Sequence, residues 1–256
     1  MQVYWLEQRE DDVPPANDWL SARETTRLSG LHFAKRRGDW RLGRWTAKHA
    51  IASCLNLAAD PQALANIEIR PTPSGAPEVF VANAPASVTI SLSHRDGRAL
   101  CVIAAGGVDL GCDLEVIEMR SEAFVADYFT SEEQTFVERA LPAERARVVT
   151  LIWSAKESAM KALREGLRLD TRSVIVNAGD PSCDLNRWNT LQVRCAEGQT
   201  FHGWWRNTNN ILRTVVANPL PDLPIPLEMP AHVFERPCAD VMGCTAKTNE
   251  GRSMAR

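Results

Sequence analysis

The sequence predicts an α+β fold in two halves of alike build, and three observations carry that prediction. The chain has 256 residues, room for one large domain or two small ones around a substantial core. Along it, helical patterns are followed by strand patterns, twice. The two passes divide near Gly106-Gly107. No residue-level repeat is visible between them.

Each element has its own signal. Residues 2–6 read as a short strand, and helical patterns follow at 17–29 and 37–57. The second places Trp40, Ala47, Ile51, Cys54 and Leu55 at helical spacing. Ile67 to Arg70 alternates and then breaks on Pro71, Pro73, Gly75 and Pro77, a turn-rich segment. Strands are expected at 78–81, 87–93, 99–105 and 108–115. Helices should occupy 121–127, 130–140 and 143–165, and strands 172–177, 190–195, 200–206 and 211–217. The expected division is therefore 1–106, 107–218 and a Pro-rich tail over 219–256. The first part of that tail suits polyproline II packed on the body, and about the last fifteen residues are expected to be disordered.

Bulk properties exclude several classes. A net charge of −3 gives no global attraction to nucleic acid or to an anionic membrane. Seven cysteines, an odd number with no Cys-x-x-Cys pair, suit a reducing cytoplasm. The first residues lack a basic region followed by an apolar stretch, and no segment approaches the roughly 20 apolar residues of a membrane span.

Chemistry concentrates in a few places. Asp113 and Glu115, two apart in the strand-like run Gly111-Cys112-Asp113-Leu114-Glu115, point to one face. Glu157 and Lys161 share a helix line with Trp153 and Arg164. Read alone, the acids fit an exposed edge strand, and the Glu–Lys pair fits a solvated face. Brought together, three carboxylates need a cation, and oxygen-only ligation suits Mg²⁺ on a substrate phosphate. Asp109 is a weaker candidate because Gly111 stands where its partner would be. The run Ser91-Leu92-Ser93-His94 closes an alternating strand, which puts an imidazole at the rim, able to donate to a phosphate. Arg37, Arg41, Arg44 and Lys48 align on one helix face after Lys35 and Arg36, a stripe that an anion would relieve. It is equally a solvated face, or a nucleic-acid contact without any aromatic platform.

Together these motifs resemble the 4′-phosphopantetheinyl transferases, in particular the larger single-chain type that activates nonribosomal peptide and polyketide synthases. That family's Gly-x-Asp-x-Glu strand reads here as Gly111 to Glu115. Its Trp-Ser-x-Lys-Glu-x-x-x-Lys helix reads as Trp153 to Lys161. Ser93-His94, the turn Gly75-Ala76-Pro77 and the stretch Tyr128 to Glu133 also match, although a basic residue is frequent where Ala76 stands. The likeness spans roughly residues 35–166 and does not reach the Pro-rich tail.

The resemblance implies two small, mainly antiparallel sheets with helices, related by pseudo-two-fold symmetry around a cleft that holds coenzyme A. It implies transfer of the phosphopantetheine arm of coenzyme A to a carrier-protein serine, with release of adenosine 3′,5′-bisphosphate. Asp113, Glu115 and Glu157 would hold Mg²⁺, or Mn²⁺ in its place. Glu157 or Lys161 would handle the serine proton, and Lys156 would turn toward the phosphates. His94 and Ser93 would meet phosphate. Arg44, Arg37 and Lys35 would meet the 3′-phosphate, and Gly75 and Pro77 would shape the turn beside adenine. The partners implied are apo acyl or peptidyl carrier proteins of polyketide, nonribosomal peptide or fatty acid synthases. No nucleic acid or membrane is involved, and the expected protein is a cytoplasmic monomer of secondary metabolism. The other readings are a carrier-docking module without catalysis and another Mg²⁺-dependent phosphate-transfer enzyme, though no Walker-type loop or kinase signature is present.

Overall fold

Two hairpins, one per half, organise the sheets. The computed structural model describes residues 1–164, 169–179, 186–196 and 198–228. The polar end of the tail, expected to be disordered, lies outside them. In the first half, β1 (Val3–Arg9) is followed by α1 (Ala22–Ser29), α2 (Ala34–Cys54) and the short α3 (Pro61–Ala65). Then come β2 (Ile67–Pro71), β3 (Pro77–Val81), β4 (Ala84–Pro85), β5 (Val88–Arg95) and β6 (Arg98–Ala105). The second half runs β7 (Asp109–Val116), α4 (Glu122–Tyr128), α5 (Ser131–Arg139) and α6 (Arg145–Ala162). It ends in β8 (Val174–Asn177), β9 (Asn189–Cys195), β10 (Thr200–Thr208) and β11 (Ile211–Asn218). A two-residue β12 (Ile225–Pro226) closes the described chain and pairs in parallel with β1.

The strand order shows the likeness of the halves. β5 and β6 form a hairpin flanked by β1; β10 and β11 form a hairpin flanked by β7, and all four pairings are antiparallel. Counted from the hairpin turns, Arg98 corresponds to Ile211, so Leu6 (opposite Cys101) occupies the place of Asp113 (opposite Thr214). Gln8 likewise corresponds to Glu115 and Tyr4 to Gly111.

A residue-level repeat does exist, and the helices carry it. Trp45-Thr46-Ala47-Lys48-His49 in α2 matches Trp153-Ser154-Ala155-Lys156-Glu157 in α6. Ser21 and Glu24 form a capping box on α1, as Thr130 and Glu133 do on α5. Each of these glutamates is buried and meets a fully buried lysine, Glu24 with Lys48 at 2.6 Å and Glu133 with Lys156 at 2.8 Å. Lys48 also donates to the carbonyls of Trp19 and Leu64, and Lys156 to those of Thr171 and Val174. The amides of Ile69 and Val176 donate to the respective carboxylates. A buried charge persists only when paired and fully hydrogen-bonded, and both lysines meet that condition. Burial still lowers both lysine pKa values, with the facing carboxylate opposing the shift.

Each half has its own apolar core, around Trp19, Ile51 and Ile103 in the first and Leu151, Phe201 and Trp205 in the second. A third cluster joins Leu100 and Val102 of β6 to Leu110, Cys112 and Leu114 of β7 and Val215 of β11. This seam is why β5 and β7 lie side by side, with the Cys112 amide donating to Ser91 Oγ at 2.9 Å. Each fully buried aliphatic side chain there contributes roughly 1.5–3 kcal/mol. No helix among the described residues is long and apolar enough to cross a membrane.

Candidate active site

Gly111 sets the site's geometry. A methyl group on its Cα would lie 1.8 Å from the Ser158 carbonyl oxygen, so only glycine lets β7 touch α6. That approach brings Lys161 onto β7. Its ammonium donates to Asp113 Oδ1 at 2.8 Å and to the Cys112 carbonyl at 3.0 Å. From the other side, Ser93 Oγ donates to the same Asp113 oxygen at 2.7 Å. Asp113 is therefore held by both halves. Its second oxygen is buried without a hydrogen bond.

Glu115 and Glu157 complete an acidic patch. Burial, followed by the Asp113 charge, pushes the carboxyl pKa of each upward. Arg95 and Arg120 oppose this at Glu115, with Arg95 Nε 3.4 Å and an Arg120 terminal nitrogen 3.6 Å from Oε2. That oxygen too is buried without a hydrogen bond. Lys161 opposes the rise at Glu157. Burial on its own would lower the lysine; the surrounding Asp113, Cys112 and Glu157 outweigh it, so Lys161 is held above its ordinary value and stays protonated. The Cys112 thiol, pushed up to about 11 mainly by burial, is no nucleophile at neutral pH.

Among the described residues, no three His, Cys, Asp or Glu side chains stand close enough together to enclose an ion unaided. The donor set nonetheless fits Mg²⁺. Asp113 Oδ2 and Glu115 Oε2 are buried without a hydrogen bond, the latter with Arg95 and Arg120 no nearer than 3.4 Å, and this ion keeps several waters and takes the rest of its shell from substrate phosphate.

Beside the acids opens a cleft of about 320 Å³. The turn at Gly75 and Pro77 forms one wall, with Gly75 at φ +92°, a left-handed conformation that favours glycine. Arg44 enters from α2, and Lys161 and Arg164 from α6 and its end. Arg44 lies over the Trp40 ring at 5.0 Å and 3.7 Å from Glu24. Its Nε is buried without a hydrogen bond, and burial lowers its pKa. His94 is more than half exposed at the end of β5, its Nε2 4.0 Å from Asp39. Lys35 and Arg37 are exposed on the first turns of α2 and do not line the cleft.

Two sequence expectations are corrected. Lys156 does not turn toward the phosphates. Adjacent helix positions diverge by about 100°, so with Glu157 facing Asp113 and Lys161 the neighbouring Lys156 enters the core, to Glu133. The α2 stripe is not four charges awaiting an anion. Arg41 donates to Asn17 and to the carbonyls of Pro14 and its neighbours, Lys48 is neutralised by Glu24, and of the four only Arg44 reaches the cleft. Sequence reasoning also left out the Ser91 tie between the halves and placed Arg164 on the Glu157 line without a role. The weak spacing signal for Arg164, three residues past Lys161, was already present.

Residues 109–216 match the family model of the 4′-phosphopantetheinyl transferase superfamily. That stretch runs from β7 to β11 and contains Asp113, Glu115, Glu157 and Lys161. No curated protein matches the chain. Among solved structures, similarity is found to a holo-(acyl-carrier-protein) synthase from Bacillus anthracis str. Ames in complex with CoA (3′,5′-ADP). Identity is 19% and the TM-score 0.34, over 40% of this chain and 92% of that one. The Helicobacter pylori holo-[acyl-carrier-protein] synthase in complex with coenzyme A is similar at 15% identity and a TM-score of 0.33, over 41% of this chain and 100% of that one. At these scores the functional reading rests on the site's own residues.

Proposed function

We propose that this protein transfers the 4′-phosphopantetheine arm of coenzyme A to a serine of an apo carrier protein, releasing adenosine 3′,5′-bisphosphate. The observation that carries the reading is Asp113, coupled to Glu115 and Glu157 and held, with one oxygen free, by Ser93 and by Lys161, which lines a cationic cleft. The superfamily match over the same residues supports it. Asp113, Glu115 and Glu157 would hold Mg²⁺ against the diphosphate. When bound, the ion supplies neutralisation of charge that builds on the leaving oxygen.

The chain's own groups divide the remaining work. Lys161, kept protonated by its acidic neighbours, suits a phosphate oxygen and is a poor base. Glu157, a carboxylate beside Asp113 and Lys161, is the better acceptor for the serine proton. The serine oxygen then attacks the β-phosphorus, and the bond to the departing bisphosphate breaks. Arg44 and His94 would hold the nucleotide phosphates, with Arg37 and Lys35 acting at longer range as exposed charges. Gly75 and Pro77 would shape the wall beside the base. Ser93 acts on Asp113, as a positioning residue.

The partner class proposed is the carrier domains of polyketide, nonribosomal peptide or fatty acid synthases, served by a single cytoplasmic chain. The test is mass spectrometry of an apo carrier protein incubated with the enzyme, coenzyme A and Mg²⁺. The expected result is a gain of one phosphopantetheine. An unmodified carrier across several carrier types, with intact coenzyme A, would refute the activity.

A further inference from the structure

The geometry points to Arg164 as a further phosphate-binding and specificity residue, gripping the nucleotide from the C-terminal half while Arg44 grips it from the N-terminal half. Three observations support this. Arg164 lines the cleft that also holds Arg44, Lys161 and Gly75. It equally lines the adjoining pocket of about 420 Å³ on Ser87, Gly106 and Gly107, so it stands where the two cavities meet. Second, the other two cations of the cleft wall already face acids: Lys161 faces Asp113 and Arg44 faces Glu24. Arg164 is exposed and has no acidic partner among the described residues.

The third observation is conformational. Just past α6, Arg164 sits at φ +60°, with its amide donating to the Lys161 carbonyl. A helix-ending residue in this left-handed region is usually glycine, which adopts it freely, whereas an arginine there is strained. A strained non-glycine residue at the mouth of a cleft is a mark of function. The bland alternative is a cation facing the helix C-terminus, which needs neither the cleft nor the strain. A planar guanidinium without a counter-charge suits a phosphate monoester or diphosphate, the groups that coenzyme A presents.

This inference rests on the transferase reading, and the experiment separates the two. Binding of adenosine 3′,5′-bisphosphate, adenosine 5′-monophosphate and adenosine is measured by calorimetry on the full chain and on Arg164→Ala, Arg164→Gly, Arg164→Lys and Arg44→Ala. Melting temperatures are recorded alongside. Arg164→Ala and Arg164→Gly should weaken the bisphosphate about tenfold, as loss of a charge-assisted hydrogen bond does. Arg164→Lys should lose less. Arg164→Gly should melt at or above wild type, because glycine relieves the backbone. A loss retained with the monophosphate would place the contact on the 5′ side, and a loss confined to the bisphosphate would place it on the 3′-phosphate; either supports the role. Affinity within twofold of wild type in Arg164→Ala, or an equal loss for unphosphorylated adenosine, overturns it. If Arg44→Ala weakens binding and Arg164→Ala does not, the inference falls alone. A wild-type protein that binds no bisphosphate takes the transferase reading down with it.

Discussion

The two halves use one scaffold and differ at the positions that carry the acids. Where β7 and α6 carry Asp113, Glu115 and Glu157, the corresponding places on β1 and α2 carry Leu6, Gln8 and His49. The buried Lys–Glu pair, the capping box and the Trp-x-Ala-Lys turn of helix are common to both. What is shared is therefore structural, and what differs is chemical. A buried ion pair is poor evidence of net stabilisation, but one satisfied by two carbonyls and a strand amide fixes where a helix sits on its sheet. Asymmetry also enters at Arg44, whose charge lies near Glu24, whereas the matching place in the second half is the apolar Ile152.

If the acids of the second half act as proposed, converting that half toward the first should have the largest effect. Glu157→His, which copies Trp45 to His49, should lower transfer by at least about a hundredfold, the lower range for loss of a positioned base. Circular dichroism should show the fold kept; near-normal turnover would remove Glu157 from the mechanism. Next in size, Lys156→Met should cost about 3–5 kcal/mol by stranding Glu133 in the core. Lys48→Met should cost less, because Arg44 remains 3.7 Å from Glu24. Urea unfolding of both variants tests this, and equal losses would show that Arg44 does not compensate. Smaller again, Gly111→Ala should destabilise by about 1–3 kcal/mol through overpacking and lower kcat by lifting α6 from β7. The corresponding first-half residue, Tyr4, already carries a large side chain, so Tyr4→Phe should leave the β1 packing intact.

The smallest effect is one of pH. The folded pKa values of Glu115 and Glu157 lie above the unfolded ones, so the fold binds these protons more tightly than the open chain does. Stability of the metal-free protein should fall as pH rises from the ordinary carboxylate value through the raised ones. Glu157→Gln should flatten that slope and raise the melting temperature slightly at neutral pH. Mg²⁺ should stabilise wild type more than Asp113→Asn; equal responses in differential scanning fluorimetry would place the ion elsewhere.

Most elements were legible because their signals are local. Alternation in Val88 to Leu92 and helical spacing along Trp153 to Arg164 are decided by neighbours in sequence. The acidic trio was legible by motif. Lys48 and Lys156 were not, since a buried lysine and an exposed one look alike until the partner arrives from 24 or 23 residues away. For the same reason the repeat between α2 and α6 stayed hidden: its conserved logic lies in contacts to Glu24 and Glu133.

By itself, then, the sequence determined most of the order of elements and the chemical identity of the acids. Periodicity, glycine breaks and side-chain charge are properties of the chain. Only tertiary structure decided which charges are available. Packing α6 on Gly111 turned Lys161 toward Asp113 and Lys156 away from it, and helix α1 supplied Glu24 to silence Lys48. Whether a charge binds ligand or holds the fold depends on what desolvates and faces it, and that is set by residues distant along the chain.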